Sequence, residues 1–428
     1  MPGTIRASRV LSMTASQLKK QLETQLIKDP FCTSVTLIEV RNRSEIEKTG
    51  KIKGAINIPL PFLIEESQRL LSDIPKDRKV VFQCASGRRS HIAATKAIES
   101  GFTNVYNLEG GFSEWEKAYP VQSFHNNHSP TVHTILDEAT DTAQYIVTDE
   151  ETRETVIIDP VLDYDAFAGT VKADTAKKIM AYVKKNELHV TRIIDTHVHA
   201  DHLTAASFLH AHLPRKPPVS IGSHVSKVQS VFRKKYNMAA SQLSITGEQY
   251  FDFVQDNTEW RLGKNIYCKA FSTPGHTPAC MSWLIGDALF AGDTLFMPDI
   301  GTARCDFPGG SAEDMYKSIR HLYDTLPDDT RTFVGHDYPQ GRKHMFMAFL
   351  EAHKLHNKMI REDTSLEEYV KLRKERDDHL KAPRYLHPSL QASIQRTNLR
   401  GGDLPTVEYR DGTEAAGQFF KVPVRFIE

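Results

Sequence analysis

The segment Thr196-His197-Val198-His199-Ala200-Asp201-His202 decides the fold of most of this chain. It follows a β-rich run at Val190–Asp195 and precedes an apolar-periodic helix predicted at Leu203–Leu213. In an extended stretch His197 and His199 project to the same side, and Asp201 and His202 then lie at the turn into the helix. So many metal-capable side chains in so short a stretch are hard to explain by packing. The segment therefore predicts a metal site at the end of a strand.

Three later turns each carry another metal-capable side chain at the end of a predicted strand. They are Thr273-Pro274-Gly275-His276-Thr277, Ala291-Gly292-Asp293-Thr294 and Gly335-His336-Asp337-Tyr338. Histidines away from these turns are expected on the surface or in the core, and Asp287 and Asp299 are expected to be solvated. The spacing by itself admits iron, zinc or a binuclear centre, because all the residues of a two-metal hydrolase site are present.

A second site is predicted where the β-rich run Lys79–Gln83 leads into Cys84-Ala85-Ser86-Gly87-Arg88-Arg89-Ser90 and then a helix. A tight loop at a helix N-terminus directs several backbone N–H groups at one point. These donors, the helix dipole and the two arginines should lower the pKa of the Cys84 thiol. The alternative interpretation of Cys84 by itself is a buried structural cysteine. The other four cysteines are interpreted as structural.

Composition excludes several classes of protein. The chain has 428 residues, 40% of them hydrophobic and 25% charged, which is ordinary for a globular protein of two or three domains. Its 54 basic and 54 acidic residues cancel, so nucleic-acid binding has no electrostatic support. No apolar stretch reaches the roughly 18 residues of a membrane span. Five cysteines without a CxxC pair indicate a reducing compartment.

The order of predicted elements divides the chain into an α/β protein of several parts. Residues 1–122 alternate short strands and helices, as in a parallel-sheet domain. The polar segment 123–131 is interpreted as a linker. Residues 132–345 form the metal domain, and residues 346–428 form a helical, charged C-terminal extension packed on it.

The N-terminal domain resembles a single rhodanese (sulfurtransferase) domain. Besides the Cys84 loop, the resemblance is carried by LIEVRN at Leu37–Asn42, IKGAINIPL at Ile52–Leu60 and LEGGFSEWEKAYPV at Leu108–Val121. It implies that Cys84 is the nucleophile that carries sulfur and that Arg88 and Arg89 contact the anionic substrate. Glu39 stands where the family usually has aspartate, and Lys51 where a histidine is common.

The second domain resembles the metallo-β-lactamase superfamily, with its αβ/βα sandwich, and more closely the persulfide dioxygenase branch. The segments carrying the resemblance are IIDPVLDYD at Ile157–Asp165, THVHADHLTAA, TPGHTPACMSW, AGDTLFMPDIGTARCDFPGG and GHDYPQGR. The branch implies one Fe(II) per chain, held by His197, His276 and Asp293. Two imidazoles and a carboxylate with open positions suit Fe(II) and O₂ chemistry. The residues implied to orient these ligands or hold waters are His199, Asp201, His202, His336 and Tyr338. Arg304 is the candidate anchor for a substrate carboxylate.

Together these resemblances favour a bifunctional enzyme of sulfur metabolism. The iron domain would oxidise glutathione persulfide, or a related thiol persulfide, with O₂ to sulfite and the thiol. The rhodanese domain would move sulfur among thiosulfate, sulfite and thiol, in either direction. The alternatives are a glyoxalase II-like zinc hydrolase of glutathione thioesters with an accessory rhodanese domain, and a non-catalytic sulfur sensor.

Location and partners follow from the same observations. Residues 1–22 carry four basic and no acidic side chains, a weak likeness to a transit peptide, but too few residues precede the first predicted helix. We therefore expect a cytoplasmic protein without membrane or nucleic-acid partners. Self-association into a homo-oligomer stays open.

Overall fold

The computed structural model describes residues 9–122, 128–238, 245, 252–395 and 425–426. Residues 123–127 of the expected linker lie outside the described residues. The C-terminal run Phe419–Phe426 also indicates a strand by its sequence, but only Arg425–Phe426 of it is described.

The N-terminal domain is a parallel five-stranded sheet with helices between its strands. The strands are β1 (Leu11–Met13), β2 (Val35–Glu39), β3 (Ile56–Asn57), β4 (Lys79–Gln83) and β5 (Val105–Leu108). The helices are α1 (Ala15–Lys28), α2 (Arg43–Thr49), α3 (Leu60–Leu70), α4 (Arg88–Glu99) and α5 (Gly111–Ala118). The strand order is β1-β5-β4-β2-β3, and every pair is parallel, which confirms the fold expected for this domain.

The second domain contains two six-stranded sheets. The first has the order β14-β13-β11-β8-β7-β6. In that order, the strands are Asp252–Val254, Val219–Gly222, His189–Ile194, Glu154–Ile158, Thr142–Thr148 and Thr131–Asp137. The second has the order β15-β16-β17-β18-β19-β20. In that order, the strands are Glu259–Leu262, Ile266–Ser272, Met281–Ile285, Ala288–Phe290, Arg331–Phe333 and Met347–Phe349. A smaller sheet joins β9 (Val161–Asp165), β10 (Thr170–Lys172), β12 (Leu203–Thr204) and β21 (Arg425–Phe426).

Helices cover the outer faces of the two large sheets. They are α6 (Asp174–Lys185), α7 (Ala206–His212), α8 (Val225–Lys235) and α9 (Ala312–Thr325), followed by α10 (Leu350–His356), α11 (Leu366–Asp377) and α12 (Leu386–Gln395). Alternation along β7 shows the layering, because Ile146 packs with Ile179 of α6 whereas Tyr145 packs with Trp283 of the facing sheet. This is the expected αβ/βα sandwich.

Two expectations from the sequence need correction. The helix expected over Leu203–Leu213 begins only at Ala206, because Leu203–Thr204 pairs antiparallel with β9. Asp287 and Asp299 are not simply solvated. Asp287 is 5% exposed and pairs with Arg331, with 2.5 Å between Arg331 Nη2 and Asp287 Oδ1. Asp299 pairs with Arg342, with Nη2 and Oδ1 2.7 Å apart.

The two domains meet along the edge of the sandwich. At one end, Arg43 Nη2 lies 2.9 Å from Asp149 Oδ1, just beyond the end of β7. Further along, Lys51 Nζ lies 3.3 Å from Asp329 Oδ2, and both side chains are buried. At the other end, the guanidinium of Arg342 stands 5.0 Å from the ring centroid of Phe31. The N-terminal ends of the first domain's strands therefore lie nearest to Arg342, and their C-terminal ends face away from it.

Candidate metal centre and sulfur-transfer loop

Cys84 lies directly after β4, in a loop that ends at the N-terminus of α4. Gly87 adopts the left-handed conformation that closes this loop, with φ of 90°. The buried Cys84 Sγ accepts hydrogen bonds from Gly87 N at 3.2 Å and from Ser90 Oγ at 3.3 Å. Burial alone would raise the pKa of the thiol, but the hydrogen bonds from the Ser90 hydroxyl and from backbone N–H groups outweigh it and lower the pKa. The loop therefore favours a thiolate, as the sequence predicted.

The two arginines of the loop have different surroundings. Arg89 forms a bidentate ion pair with Glu45, with N···O distances of 2.7 and 2.6 Å. Arg88 is exposed and makes no ion pair or hydrogen bond with the described residues. Of the two, Arg88 has the guanidinium available to an anion. Glu39, the departure from the family pattern, pairs with Arg41 and accepts a hydrogen bond from Gln83, the residue before Cys84.

The structure brings His197, His276 and Asp293 together from three separate turns. One ligand atom from each lies within 4.8 Å of the others, and all three residues are buried. Asp293 Oδ2 is 3.8 Å from His197 Nε2 and 3.7 Å from His276 Nε2. The turns follow β11, β16 and β18, whose ends meet at one edge of the sandwich.

The hydrogen bonds of the two imidazoles leave their Nε2 atoms available to a cation. His276 Nδ1 is 2.8 Å from the carbonyl oxygen of Arg304. A carbonyl only accepts, so Nδ1 carries the proton and Nε2 carries the lone pair. His197 Nδ1 is 3.0 Å from Thr196 Oγ1, and that hydroxyl donates its own proton to Asp159 at 2.8 Å. Thr196 therefore accepts from His197 Nδ1–H.

Buried polar atoms without partners test whether a metal ion fits here. His197 Nε2 and Asp293 Oδ1 are both buried and lack a hydrogen-bond partner among the described residues. Such atoms are costly to bury unless something binds them. Two lone pairs and a carboxylate facing one point, with the opposite ring nitrogens held, are the donor set that a divalent transition metal takes. The residues fit a metal ion.

The remaining members of the predicted set lie beside this triad. His199 Nε2 is 3.1 Å from Asp159 Oδ1, so its ring is held by a carboxylate. Asp201 Oδ2 is 3.0 Å from His202 Nδ1 and 3.3 Å from His336 Nε2. A second group of candidate ligands is thus formed by the buried His199 and His202 and the half-buried Asp201.

Burial and neighbouring charges shift the pKa values of His199 and His336 in opposite directions. Burial, with repulsion from His202, lowers the pKa of His199 to about 3. Burial would also lower the pKa of His336, but the carboxylates of Asp293 and Asp201 outweigh it and raise the pKa to about 10.

Tyr338, predicted to assist the metal ligands, and Arg304, predicted to anchor a substrate carboxylate, differ in what their side chains can contact. Tyr338 is partly exposed, and its ring lies parallel to that of His336 with centroids 5.7 Å apart. Arg304 forms an ion pair with Asp306, with 2.5 Å between Nε and Oδ1, and donates to the carbonyl of Lys381 at 2.6 Å. Its charge is therefore neutralised within the protein.

Sequence reasoning missed a cavity of about 370 Å³ beside His202. It is lined in part by Tyr164 and Lys172 of the β9–β10 hairpin and by Tyr385 from the C-terminal extension. The rings of Tyr164 and Tyr385 meet edge to face with centroids 5.2 Å apart. Tyr164 lies in the quoted segment Ile157–Asp165, but no local motif marks Tyr385, which reaches the cavity from a distant part of the chain.

Two family models match the chain, in agreement with the fold and the site. A rhodanese-like domain matches residues 14–118, and the metallo-beta-lactamase superfamily matches residues 139–336. The chain belongs to the metallo-β-lactamase superfamily and carries an N-terminal rhodanese-like domain.

Among the described residues, no helix is both long enough and apolar enough to cross a membrane.

Several curated relatives share this family. Glyoxylase B2 of Dictyostelium discoideum is 38% identical over 289 residues, which are 67% of this chain and 94% of that protein. A beta-lactamase hydrolase-like protein of Xylella fastidiosa is 39% identical over 366 residues, 82% of this chain and 78% of that protein. The mitochondrial persulfide dioxygenase ETHE1 of Homo sapiens is 30% identical over 199 residues, 46% of this chain and 64% of that protein.

Proposed function

We propose that this chain is a bifunctional enzyme of sulfur metabolism, with one Fe(II) per chain. The second domain oxidises glutathione persulfide (GSSH), giving sulfite and glutathione: GSSH + O₂ + H₂O → GSH + H₂SO₃. The N-terminal domain transfers sulfane sulfur among thiosulfate, sulfite and thiol through Cys84. The observation that carries the proposal is the triad of His197, His276 and Asp293. Beside it, the ring of His199 is held by Asp159.

The triad leaves coordination positions free, as a site for O₂ and a second ligand requires. When bound there, Fe(II) supplies the redox chemistry that lets ground-state O₂ react with a persulfide. His276 is oriented by the Arg304 carbonyl and His197 by Thr196, which presents both Nε2 atoms to the same point. The surrounding burial excludes bulk water from this point.

The thiol carrier requires a site beside the triad. We propose the cavity next to His202, whose wall offers two tyrosine rings and the exposed Lys172 to a small peptide thiol. Lys172 takes the role assigned to Arg304 from the sequence, since Arg304 is paired with Asp306. Tyr338, stacked on His336, is proposed as a contact on the other side of the site.

For the sulfur-transfer reaction, Cys84 attacks the outer sulfur of thiosulfate, and the S–S bond breaks with release of sulfite. The resulting Cys84 persulfide then passes that sulfur to a thiol. The backbone N–H of Gly87 and the Ser90 hydroxyl stabilise the thiolate before attack and after transfer. Arg88 is proposed as the anion contact, and Arg89 holds the loop through Glu45.

The second candidate function is hydrolysis of glutathione thioesters at a two-metal centre. It is favoured by the adjoining cluster of His199, Asp201 and His202 and by the coverage of the relative called Glyoxylase B2. His199 Nδ1 and His202 Nε2 are buried and lack a hydrogen-bond partner among the described residues, so both nitrogens are available to a second metal ion while His199 Nε2 stays bonded to Asp159.

Metal analysis combined with two activity assays separates these candidates. The protein is purified without oxygen, and its iron and zinc content, O₂ consumption on glutathione persulfide and hydrolysis of S-lactoylglutathione are measured. We expect one iron per chain and stoichiometric O₂ uptake with sulfite formation. Two metal ions per chain with thioester hydrolysis and no O₂ uptake would replace the first function by the second.

A further inference from the structure

The candidate ligand His276 depends for its orientation on a segment without regular structure. Its Nδ1–H donates to the carbonyl oxygen of Arg304, which lies between β18 and α9. Residues 300–305 form no helix or strand, so their position is not set by a backbone ladder. Some other part of the molecule must hold the Arg304 carbonyl in place.

Helix α11 of the C-terminal extension holds this segment on both sides of Arg304. Arg373 Nη1 donates to the carbonyls of Thr302 at 2.9 Å and Ala303 at 3.0 Å. Asp377 Oδ2 accepts a hydrogen bond from Cys305 N at 2.9 Å. Arg373 and Asp377 are themselves joined, with 2.7 Å between Nη2 and Oδ1.

The buried face of α11 consists of side chains with polar groups that make this contact. The buried residues of the helix are Tyr369, Arg373 and Asp377, which follow one another at intervals of four and share one face. Tyr369 adds a hydrogen bond between its hydroxyl and Thr302 Oγ1, which are 2.9 Å apart. A helix packed for stability alone would bury apolar side chains here. Instead every buried side chain of α11 bonds to residues 302–305 or to its own neighbour on this face.

We propose that Arg373 and Asp377 are positioning residues of the metal centre, acting through the Arg304 carbonyl on the His276 imidazole. The inference rests on the assignment of His276 as a metal ligand within the proposed function. Outer partners of metal-bound histidines typically change metal affinity about ten- to a hundredfold when they are removed. It gives the C-terminal extension a role in metal binding.

The test measures metal affinity instead of activity. Asp377→Asn, Arg373→Lys and Tyr369→Phe are compared with Lys374→Met, an exposed change on the same helix. Affinities for Fe(II), and for Co(II) as a spectroscopic substitute, are measured by chelator competition without oxygen. We expect Asp377→Asn and Arg373→Lys to bind both metals at least about tenfold more weakly and to alter the visible spectrum of bound Co(II). Lys374→Met should match the wild type.

Two controls keep the outcomes distinct. The thermal unfolding of each variant, followed by circular dichroism, reports whether its second domain is folded, because Cys84-dependent sulfur transfer uses another domain with its own core. Tyr369→Phe keeps the ring and removes one hydrogen bond, so it tests the positioning role if the charged variants are insoluble. We expect it to lower the metal affinity severalfold. Unchanged metal binding in the soluble variants, while His276→Ala abolishes it, overturns the positioning role only. Unchanged metal binding in His276→Ala overturns the ligand assignment itself.

Discussion

Cys84 shows how a few hydrogen bonds set the chemistry of one residue. Its thiol is buried, which by itself disfavours the thiolate, yet the donors around Sγ reverse the direction of the pKa shift. Cys280 Sγ also accepts a hydrogen bond from Thr277 N at 3.3 Å, but burial outweighs this and raises the pKa of Cys280 to about 12, as it does for Cys268. Cys84 differs in the number of donors, because the Ser90 hydroxyl and the backbone N–H groups of Ser86, Gly87 and Ser90 all lower its pKa.

Removing one donor should therefore move the pH dependence of sulfur transfer. A hydrogen bond to a charged group contributes about 1.5–3 kcal/mol, and one pKa unit corresponds to about 1.4 kcal/mol. We expect Ser90→Ala to raise the Cys84 pKa by at least about one unit, so the acidic limb of the rate profile moves to higher pH. Ser86→Ala, an exposed change that keeps the backbone N–H, is the control. An unshifted profile in Ser90→Ala would show that this hydroxyl does not stabilise the thiolate.

A single ligand should likewise separate the two activities. His276→Ala removes one of three ligands, and we expect loss of bound iron and of persulfide-dependent O₂ uptake, with thiosulfate:thiol sulfur transfer retained. The physical reason is that Cys84 lies in a domain with its own core. The matched control is His212→Ala, an exposed histidine away from the site. Full O₂ uptake with bound iron in His276→Ala would contradict the assignment.

At the scale of elements, the N-terminus of α5 holds the sulfur-transfer loop. Phe112 N donates to the Cys84 carbonyl at 2.7 Å and Ser113 N to the Ala85 carbonyl at 3.0 Å. This approach needs Gly111, whose φ is +60° and whose added Cβ would lie 2.2 Å from the Cys84 oxygen. A helix end from one part of the domain thus shapes a loop from another.

A substitution at Gly111 should act on this loop and leave the metal centre unchanged. We expect Gly111→Ala to lower sulfur transfer at least about tenfold, because the clash is with backbone and must move the loop. Gly101→Ala is a matched control, since its φ is also positive, +94°, but its added Cβ meets nothing within 4 Å. Both variants carry similar backbone strain, on the order of 1–2 kcal/mol. Equal activity of the two would remove the proposed role of the α5 contact.

At the scale of the whole molecule, the two sites face away from each other. Asp149, beside Arg43 of the first domain, follows the last residue of β7, whereas Thr142 at the other end of β7 contacts His202. The seven residues of β7 span about 20 Å. Cys84 lies in the other domain, beyond the end of β7 that is next to Asp149. A cysteine side chain cannot cover this distance. For the proposed function we therefore expect sulfur to pass between the sites on a small released carrier.

Mixing two inactive chains tests this directly. Thiosulfate plus glutathione should drive O₂ uptake in the wild type but not in Cys84→Ser or Asp293→Ala alone. We expect an equimolar mixture of the two variants to recover uptake, because a released persulfide reaches any intact metal centre. The double variant mixed with either single variant is the negative control. A mixture that stays inactive, while each variant keeps its own half-reaction, would require a closed path within one chain.

Sequence alone was sufficient where the signal is local. The strand Lys79–Gln83 with the loop and helix that follow it, and the turns carrying His197, His276 and Asp293, follow from periodicity and from glycine and proline placement, which act over a few residues. The two domain types followed from longer motifs.

Partners that come from distant parts of the chain were decided only by the tertiary structure. A charged residue in a charged helix looks solvated, yet Arg373 is 1% exposed and holds the segment behind His276. Asp287 was expected in solvent and is buried against Arg331, and Arg304 was expected to face substrate and donates to the carbonyl of the distant Lys381. Local sequence sets backbone conformation and periodicity, but the burial and pairing of a charge depend on which distant side chain folding brings beside it.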